Sequence, residues 1–249
     1  MNKSDPQKIL LLPLLQEEQT MRLKGGIYHL TQVKLCYNSN RIEGSRLSEE
    51  QTRHIFETAT LLPENGDAIR VDDVIETINH FTAFDYMLRV ADLPLSESII
   101  KQMHSIIKRG TTDAAKDWFR VGEYKSRPNV VGGKETTLPD QVPAAMQDLL
   151  ESYSKRDSIT FEAIIEFHWR FESIHPFQDG NGRVGRLIAF KECLRHGIMP
   201  FVIDEQYKAF YYRGLAQFET VPEYLLDTCR SAQDTYENTV TYFLDKRSV

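Results

Sequence analysis

Cysteine is scarce: the chain has only Cys36, Cys193 and Cys229, and none forms a C-x-x-C pair. An odd number cannot all pair within one chain, and without paired spacing neither a zinc knuckle nor a dithiol redox site is indicated; a reducing, cytoplasmic compartment is the simplest setting. Long apolar runs are missing too. The run nearest the start, Ile9 to Leu15, is seven residues long, contains Pro13 and leads into Glu17 and Glu18. That is too short for a membrane span, and no small-residue cleavage site follows it, so neither a membrane partner nor a signal peptide is expected. Net positive charge is lacking as well: 30 Lys and Arg face 36 Asp and Glu, giving −6. The molecule therefore has no general attraction for nucleic acid, and any phosphate chemistry must come from a local basic cluster. There is also no internal repeat, no low-complexity tract, no H-E-x-x-H and no His-Asp dipeptide, which argues against a solenoid and a zincin-type metal site.

What is present is the balance of a folded domain: 41% hydrophobic and 27% charged residues in 249, enough to bury a core and too apolar for disorder. Helical spacing dominates, as in Ile75, Ile78, Phe81, Thr82 and Asp85 or Phe161, Ile164, Ile165 and His168, so an all-α fold is expected. One stretch breaks the rhythm: Val121 to Pro139 carries Gly122, Pro128, Gly132, Gly133 and Pro139 around Val130 and Val131, and reads as a hairpin between helices. A second punctuation, Pro63 to Asp67, precedes a helix expected from about Asp72. Neither gap is long enough for a linker, and a single domain over 1–249 is expected.

Chemistry concentrates in His175-Pro176-Phe177-Gln178-Asp179-Gly180-Asn181-Gly182-Arg183-Val184-Gly185-Arg186. Pro176 should stop the preceding helix at His175 by excluding that residue from the α region. Gly180, Asn181 and Gly182 permit positive φ in succession and can turn their N–H groups on an anion. A helix follows, with Val184, Leu187, Ile188 and Leu194 on one face until Gly197. Arg183 and Arg186 then fall in its first turns, where the macrodipole disfavours cations by a few tenths of a kcal/mol each, as an order of magnitude. Two guanidiniums, convergent N–H donors and a positive helix end describe a site for a polyphosphate. Asp179 adds a hard oxygen for Mg²⁺, and His175 can take the proton of an attacking hydroxyl near neutral pH. Transfer of part of a nucleotide to an alcohol is the implied reaction. Alone, each feature has an ordinary reading: a hairpin turn, a structural His before Pro, a solvated Arg face. Phe177 is assigned to the core, and His168 to packing or support of the site.

The segment closely resembles the signature of the Fic family, H-x-F-x-(D/E)-G-N-G-R-x-x-R, and matches it at every specified position. The resemblance covers about residues 30–230. It implies an all-helical bundle with a short β-hairpin flap over the active site, divided into an N-terminal inhibitory region of about 1–70, a core of about 71–230 and a C-terminal helix to 249. It further implies a protein adenylyltransferase moving AMP from ATP to a Ser, Thr or Tyr hydroxyl of a target or of the chain itself. By position, His175 would be the general base, Asp179 the Mg²⁺ ligand, and Gly180, Asn181 and Gly182 the anion cradle, with Arg183 at the β-phosphate and Arg186 at the γ-phosphate. The flap at 121–139, with Val130, Val131, Gly132 and Gly133 at its centre, would hold the target by strand addition. Tyr211 and Tyr212 resemble an aromatic pair that packs on adenine. Glu219 stands where the family has an asparagine reading the base edge, which loosens the choice of ATP over other triphosphates.

Upstream, Ser39-Asn40-Arg41-Ile42-Glu43-Gly44 resembles the family's inhibitory motif, (S/T)-x-x-x-E-(G/N). Ile27, Leu30, Lys34 and Tyr37 are spaced as a helix that Gly44 would cap, leaving Glu43 in a last turn where the dipole disfavours a carboxylate. A bidentate pair with Arg186 would relieve that and occupy the guanidinium the γ-phosphate needs. The same carboxylate could instead serve removal of AMP. Two other classes stay open at this point: a metal-dependent phosphohydrolase, which would need more ligands, and a nucleotide-sensing module without catalysis. The target, the modified residue and any homo-oligomeric state are not legible in the sequence.

Overall fold

The computed structural model describes residues 6–62 and 68–247, so the punctuation at Pro63 to Asp67 lies outside the described residues. Among the described residues, ten helices and one hairpin follow in order: α1 (Pro6–Met21), α2 (Ile27–Ile42), α3 (Glu49–Thr58), α4 (Val71–Arg89), α5 (Glu97–Lys108), β1 (Val130–Val131), β2 (Lys134–Glu135), α6 (Val142–Ser154), α7 (Phe161–Ile174), α8 (Asn181–Arg195), α9 (Lys208–Gln217) and α10 (Glu223–Arg247). The all-α class expected from the periodicity is what forms. No helix among the described residues is long and apolar enough to cross a membrane.

Local chemistry sets the helix starts. Ser48 and Gln51 make a reciprocal capping box at α3, while Ser96 and Thr160 accept from Ile99 N and Ala163 N at α5 and α7, satisfying N–H groups that a first turn leaves open. α8 runs through the centre, packed against α7, α5, α4, α2 and α1. Its Leu187, Ile188 and Phe190 join Phe84, Met87 and Leu88 of α4, Ile100, Met103 and Ile107 of α5, and Phe171 of α7 in one core. Each such side chain contributes about 1.5–3 kcal/mol by leaving water. Every residue of α8 from Asn181 to Leu194 is buried, so its charged residues need partners inside the protein. Lys191 finds one in Glu192, at 2.8 Å.

α2 is equally interior. Val33, Leu35, Cys36 and Ile42 are all buried, and Gly44, with φ 96°, ends the helix in the left-handed conformation that glycine adopts without strain. The hairpin differs from everything around it. β1 and β2 are antiparallel, Val130 opposite Glu135 and Val131 opposite Lys134, joined by Gly132 and Gly133 at φ 57° and 80°. Two successive positive-φ glycines suit the twist of a tight hairpin. Both strands are exposed, so the hairpin depends on what ties down its base.

Candidate active site

α7 ends at Ile174, as Pro176 requires, but His175 does not take the extended backbone expected before a proline. It sits in the left-handed region, φ 51° and ψ 62°, with its N–H still bonded to Phe171 O. A non-glycine residue there costs roughly 1–2 kcal/mol and persists only where its surroundings fix it. They do: Lys125 N donates to Pro176 O at 2.8 Å, and Asn181 clamps Phe177, accepting from its N–H and donating to its carbonyl, both at 2.8 Å. Phe177 is fully buried and stacks on His104 with ring centroids 3.9 Å apart.

The clamp also corrects the expected cradle. Only Gly180 has positive φ, 82°; Asn181 and Gly182 already belong to α8. The side chain of Asn181 is used inside the loop, so the N–H groups open to an acceptor are those that the first turn of α8 leaves unpaired. Gly182 lies directly under the Glu43 carboxylate: a Cβ there would meet Glu43 Oε1 and displace that side chain.

Both arginines are buried, at 3% and 4% exposure, which excludes the ordinary reading as a solvated face. Arg183 Nη1 lies 2.5 Å from Glu76 Oε2, and its Nη2 lies 3.3 Å from Asp179 Oδ2. The same two carboxylates hold a buried lysine, Lys108, whose Nζ is 2.5 Å from Asp179, 2.7 Å from Glu76 and 3.4 Å from Asp113. Although burial works against it, Arg183 and Lys108 hold the Asp179 carboxyl well below the usual carboxylate range. Glu76 and Lys108 escaped the sequence reading: they arrive from α4 and α5, and a lysine in a last helical turn is ordinary.

Arg186 turns the other way, to α2. Its Nε donates to Ser39 Oγ at 3.0 Å, and its Nη2 donates to Ser39 O at 2.9 Å and to Glu43 Oε1 at 2.7 Å. The expected bidentate carboxylate is thus a single contact. The guanidinium edge lies along the last turn of α2, where Ser39 takes two of its bonds and leaves one to Glu43. Burial disfavours the charge, but Glu43 outweighs it and keeps Arg186 firmly protonated.

The imidazole of His175 is pushed down to about 4, mainly by burial, with the charge of Lys125 adding to it. His175 Nδ1 faces Glu172 O at 3.3 Å; placing the proton on Nδ1 leaves the Nε2 lone pair free. Tyr211 and Tyr212 separate. Tyr211 is 1% exposed, bonded through its hydroxyl to His168 Nε2 at 2.7 Å, and presents no face to a base. Tyr212 is 40% exposed, with its hydroxyl donating to Ile42 O at 3.3 Å. Glu219 lies exposed beyond α9. Among the described residues no three His, Cys, Asp or Glu side chains form a metal cage.

Residues 94–192 match the model of the Fic/DOC family, a span from just before α5 into α8 that carries the hairpin and the loop of His175. The protein adenylyltransferase fic-1 of Caenorhabditis elegans is 26% identical over 187 residues, 72% of this chain and 35% of that protein. The protein adenylyltransferase Fic of Drosophila willistoni is 30% identical over 184 residues, with the same coverage. The chain spans about a third of the length of these relatives. Among solved structures, a Fic-domain-containing signaling protein from Bacteroides thetaiotaomicron superposes with TM-score 0.75 at 26% identity, covering 95% of this chain and 92% of that one. A Fic family protein from Desulfovibrio desulfuricans shares the fold at TM-score 0.69 and 22% identity, covering 96% and 75%. Over residues 94–192 the chain carries a Fic/DOC family domain, and its fold is that of solved Fic-domain proteins.

Proposed function

We propose that the chain transfers AMP from ATP to a protein hydroxyl, with His175 as base, and that Glu43 restrains it. The observation that carries this reading is Arg186. A buried guanidinium in the second turn of α8, opposed by the helix dipole, is paired with one carboxylate that stands directly over Gly182, at the helix end where a terminal phosphate would settle.

In this reading the triphosphate lies across the N-terminus of α8, with Arg183 toward the β-phosphate and Arg186 toward the γ-phosphate. Asp179 fits Mg²⁺ as a single hard ligand: its side chain is 45% exposed and remains a carboxylate, and Mg²⁺ commonly completes its shell from phosphates and water. Bound there, Mg²⁺ would neutralise phosphate charge. The target hydroxyl attacks the α-phosphorus, its proton passes to His175 Nε2, and the P–O bond to the β-phosphate breaks to release pyrophosphate. Since burial keeps His175 deprotonated, the base is ready at neutral pH. The exposed edge of Val130 and Val131 offers backbone pairing to an extended target segment, and Tyr212 offers a ring to the adenine.

The restraint does not require α2 to leave. That helix is built into the core, so release means rotation of the Glu43 side chain, which is partly exposed at 27%. The free, buried state of all three cysteines suits a reducing, cytoplasmic setting. The test is incubation of Glu43→Gly with Mg²⁺ and ATP labelled at either the α- or the γ-phosphate, followed by intact-mass measurement. AMP transfer predicts α-label on the protein with a mass gain of one AMP group. Retention of γ-label alone would mean phosphorylation, and no label would leave only nucleotide binding.

A further inference from the structure

Lys125 is a buried cation without a carboxylate. It is 4% exposed, makes no ion pair among the described residues, and burial alone pushes its ammonium down to about 8. Its contacts are all neutral. Nζ donates to Asn129 Oδ1 at 2.8 Å and Thr136 Oγ1 at 2.6 Å, the residues just before β1 and just after β2, and reaches Ile174 O at 3.4 Å. Its backbone N–H donates to Pro176 O at 2.8 Å. One residue thus grips both arms of the hairpin and the carbonyls on either side of His175.

The same grip is doubled from the flap side. Asn129 Nδ2 donates to Phe177 O at 3.3 Å, and Thr136 N donates to Asn129 O at 3.3 Å. Two-residue strands cannot hold a hairpin in one place by themselves. The base of this one is held by Lys125, by Asn129 on Phe177 O and by Arg127 N, which donates to Gln178 Oε1 at 3.3 Å; of these, Lys125 is the residue whose side chain meets both arms.

We propose that Lys125 is a positioning residue that latches the flap to the loop of His175, so that target docking and placement of the imidazole are set by one side chain. A neutral residue could pack there at lower desolvation cost. A lysine supplies three donors to three fixed acceptors and places a positive charge behind the imidazole, which faces Lys125, Glu43 and Asp179 as its charged neighbours. The functional consequence rests on His175 being the base; the latch itself does not.

The test needs no nucleotide, so its failure is distinct from failure of the transferase reading. Amide exchange at residues 125 and 136 and the titration of the His175 ring are followed by NMR in Lys125→Met, Lys125→Arg and Thr136→Val, with Leu187 and Phe190 of α8 as internal references. Lys125→Met is expected to speed exchange at both sites by about tenfold or more and to raise the His175 midpoint, because a neighbouring cation is lost. Lys125→Arg, which keeps donors and charge, should stay close to the parent. Unchanged flap exchange and an unchanged midpoint in Lys125→Met overturn the proposal. If that variant also loses protection in α8, Thr136→Val decides. It removes the flap hydroxyl that accepts from Lys125 Nζ and donates to Asn129 O while leaving Lys125 in place; about threefold faster exchange at 125 as well as at 136, with α8 intact, supports the latch, whereas no change at 125 overturns it.

Discussion

Arg183 and Arg186 stand one turn apart on the same helix, equally buried, and are neutralised in different ways. Arg183 belongs to a closed network: with Lys108 it shares Glu76 and Asp179, and Asp113 adds a third carboxylate. Arg186 depends on one motif, Ser39 and Glu43 at the end of α2, and its carboxylate partner is partly exposed. The first arrangement is redundant, which suits a phosphate-binding group that keeps one place whatever is bound. The second takes its one carboxylate from a rotatable side chain, which suits a counter-charge that must be exchanged for a ligand.

The sharpest way to break that contrast is to remove Arg186 itself. In a Glu43→Gly background, Arg186→Ala is expected to lower AMP transfer by about three orders of magnitude, the scale for losing a charge that meets developing charge in a transition state; unchanged turnover with α-labelled ATP would mean that Arg186 serves only to hold α2. Next in size is stability. Glu76→Gln should cost about 3 kcal/mol in denaturant unfolding, because Arg183 and Lys108 are left with too little buried counter-charge. Glu43→Gly should cost about half of that or less, since water reaches its site. Equal losses would erase the difference between the two sides.

A smaller effect is expected from Ser39→Ala, which deletes the hydroxyl that accepts from Arg186 Nε. About 1 kcal/mol of restraint disappears, so transfer by the otherwise native chain should rise about fivefold, and a fall would show that Ser39 supports catalysis. Smallest is the response to acid. The His175 ring titrates near 4 where an ordinary histidine does so near 6.5, so it stays deprotonated as pH falls from about 7.5 to about 5.5. Over that window kcat should change by less than about twofold on account of this group; a tenfold fall with a midpoint near 6.5 would mean that the imidazole is solvated.

Which features were legible follows from the range of the forces involved. The stop at His175, the start of α8 and the Gly132-Gly133 hairpin are set by local dihedral preferences and appear in the sequence directly. The oddity of two arginines at a positive helix end was legible too, because it is a conflict within one helix. What escaped lies between helices. Glu76, Lys108 and Lys125 meet the site only through packing of α4, α5 and the flap base, and nothing local marks them. The cradle was misread in detail because Asn181 serves the loop through its side chain, and Tyr211 because burial on His168 is a tertiary fact. The carboxylate of Glu43 was placed on the right guanidinium, but its geometry was set by Ser39, four residues earlier on the same turn.

The most direct measurement compares the initial rate of AMP incorporation from α-labelled ATP in the native chain and in Glu43→Gly, at one protein concentration and saturating Mg²⁺. If Glu43 holds the guanidinium that the γ-phosphate needs, the variant should run at least about tenfold faster. Equal rates in the two proteins would contradict the account.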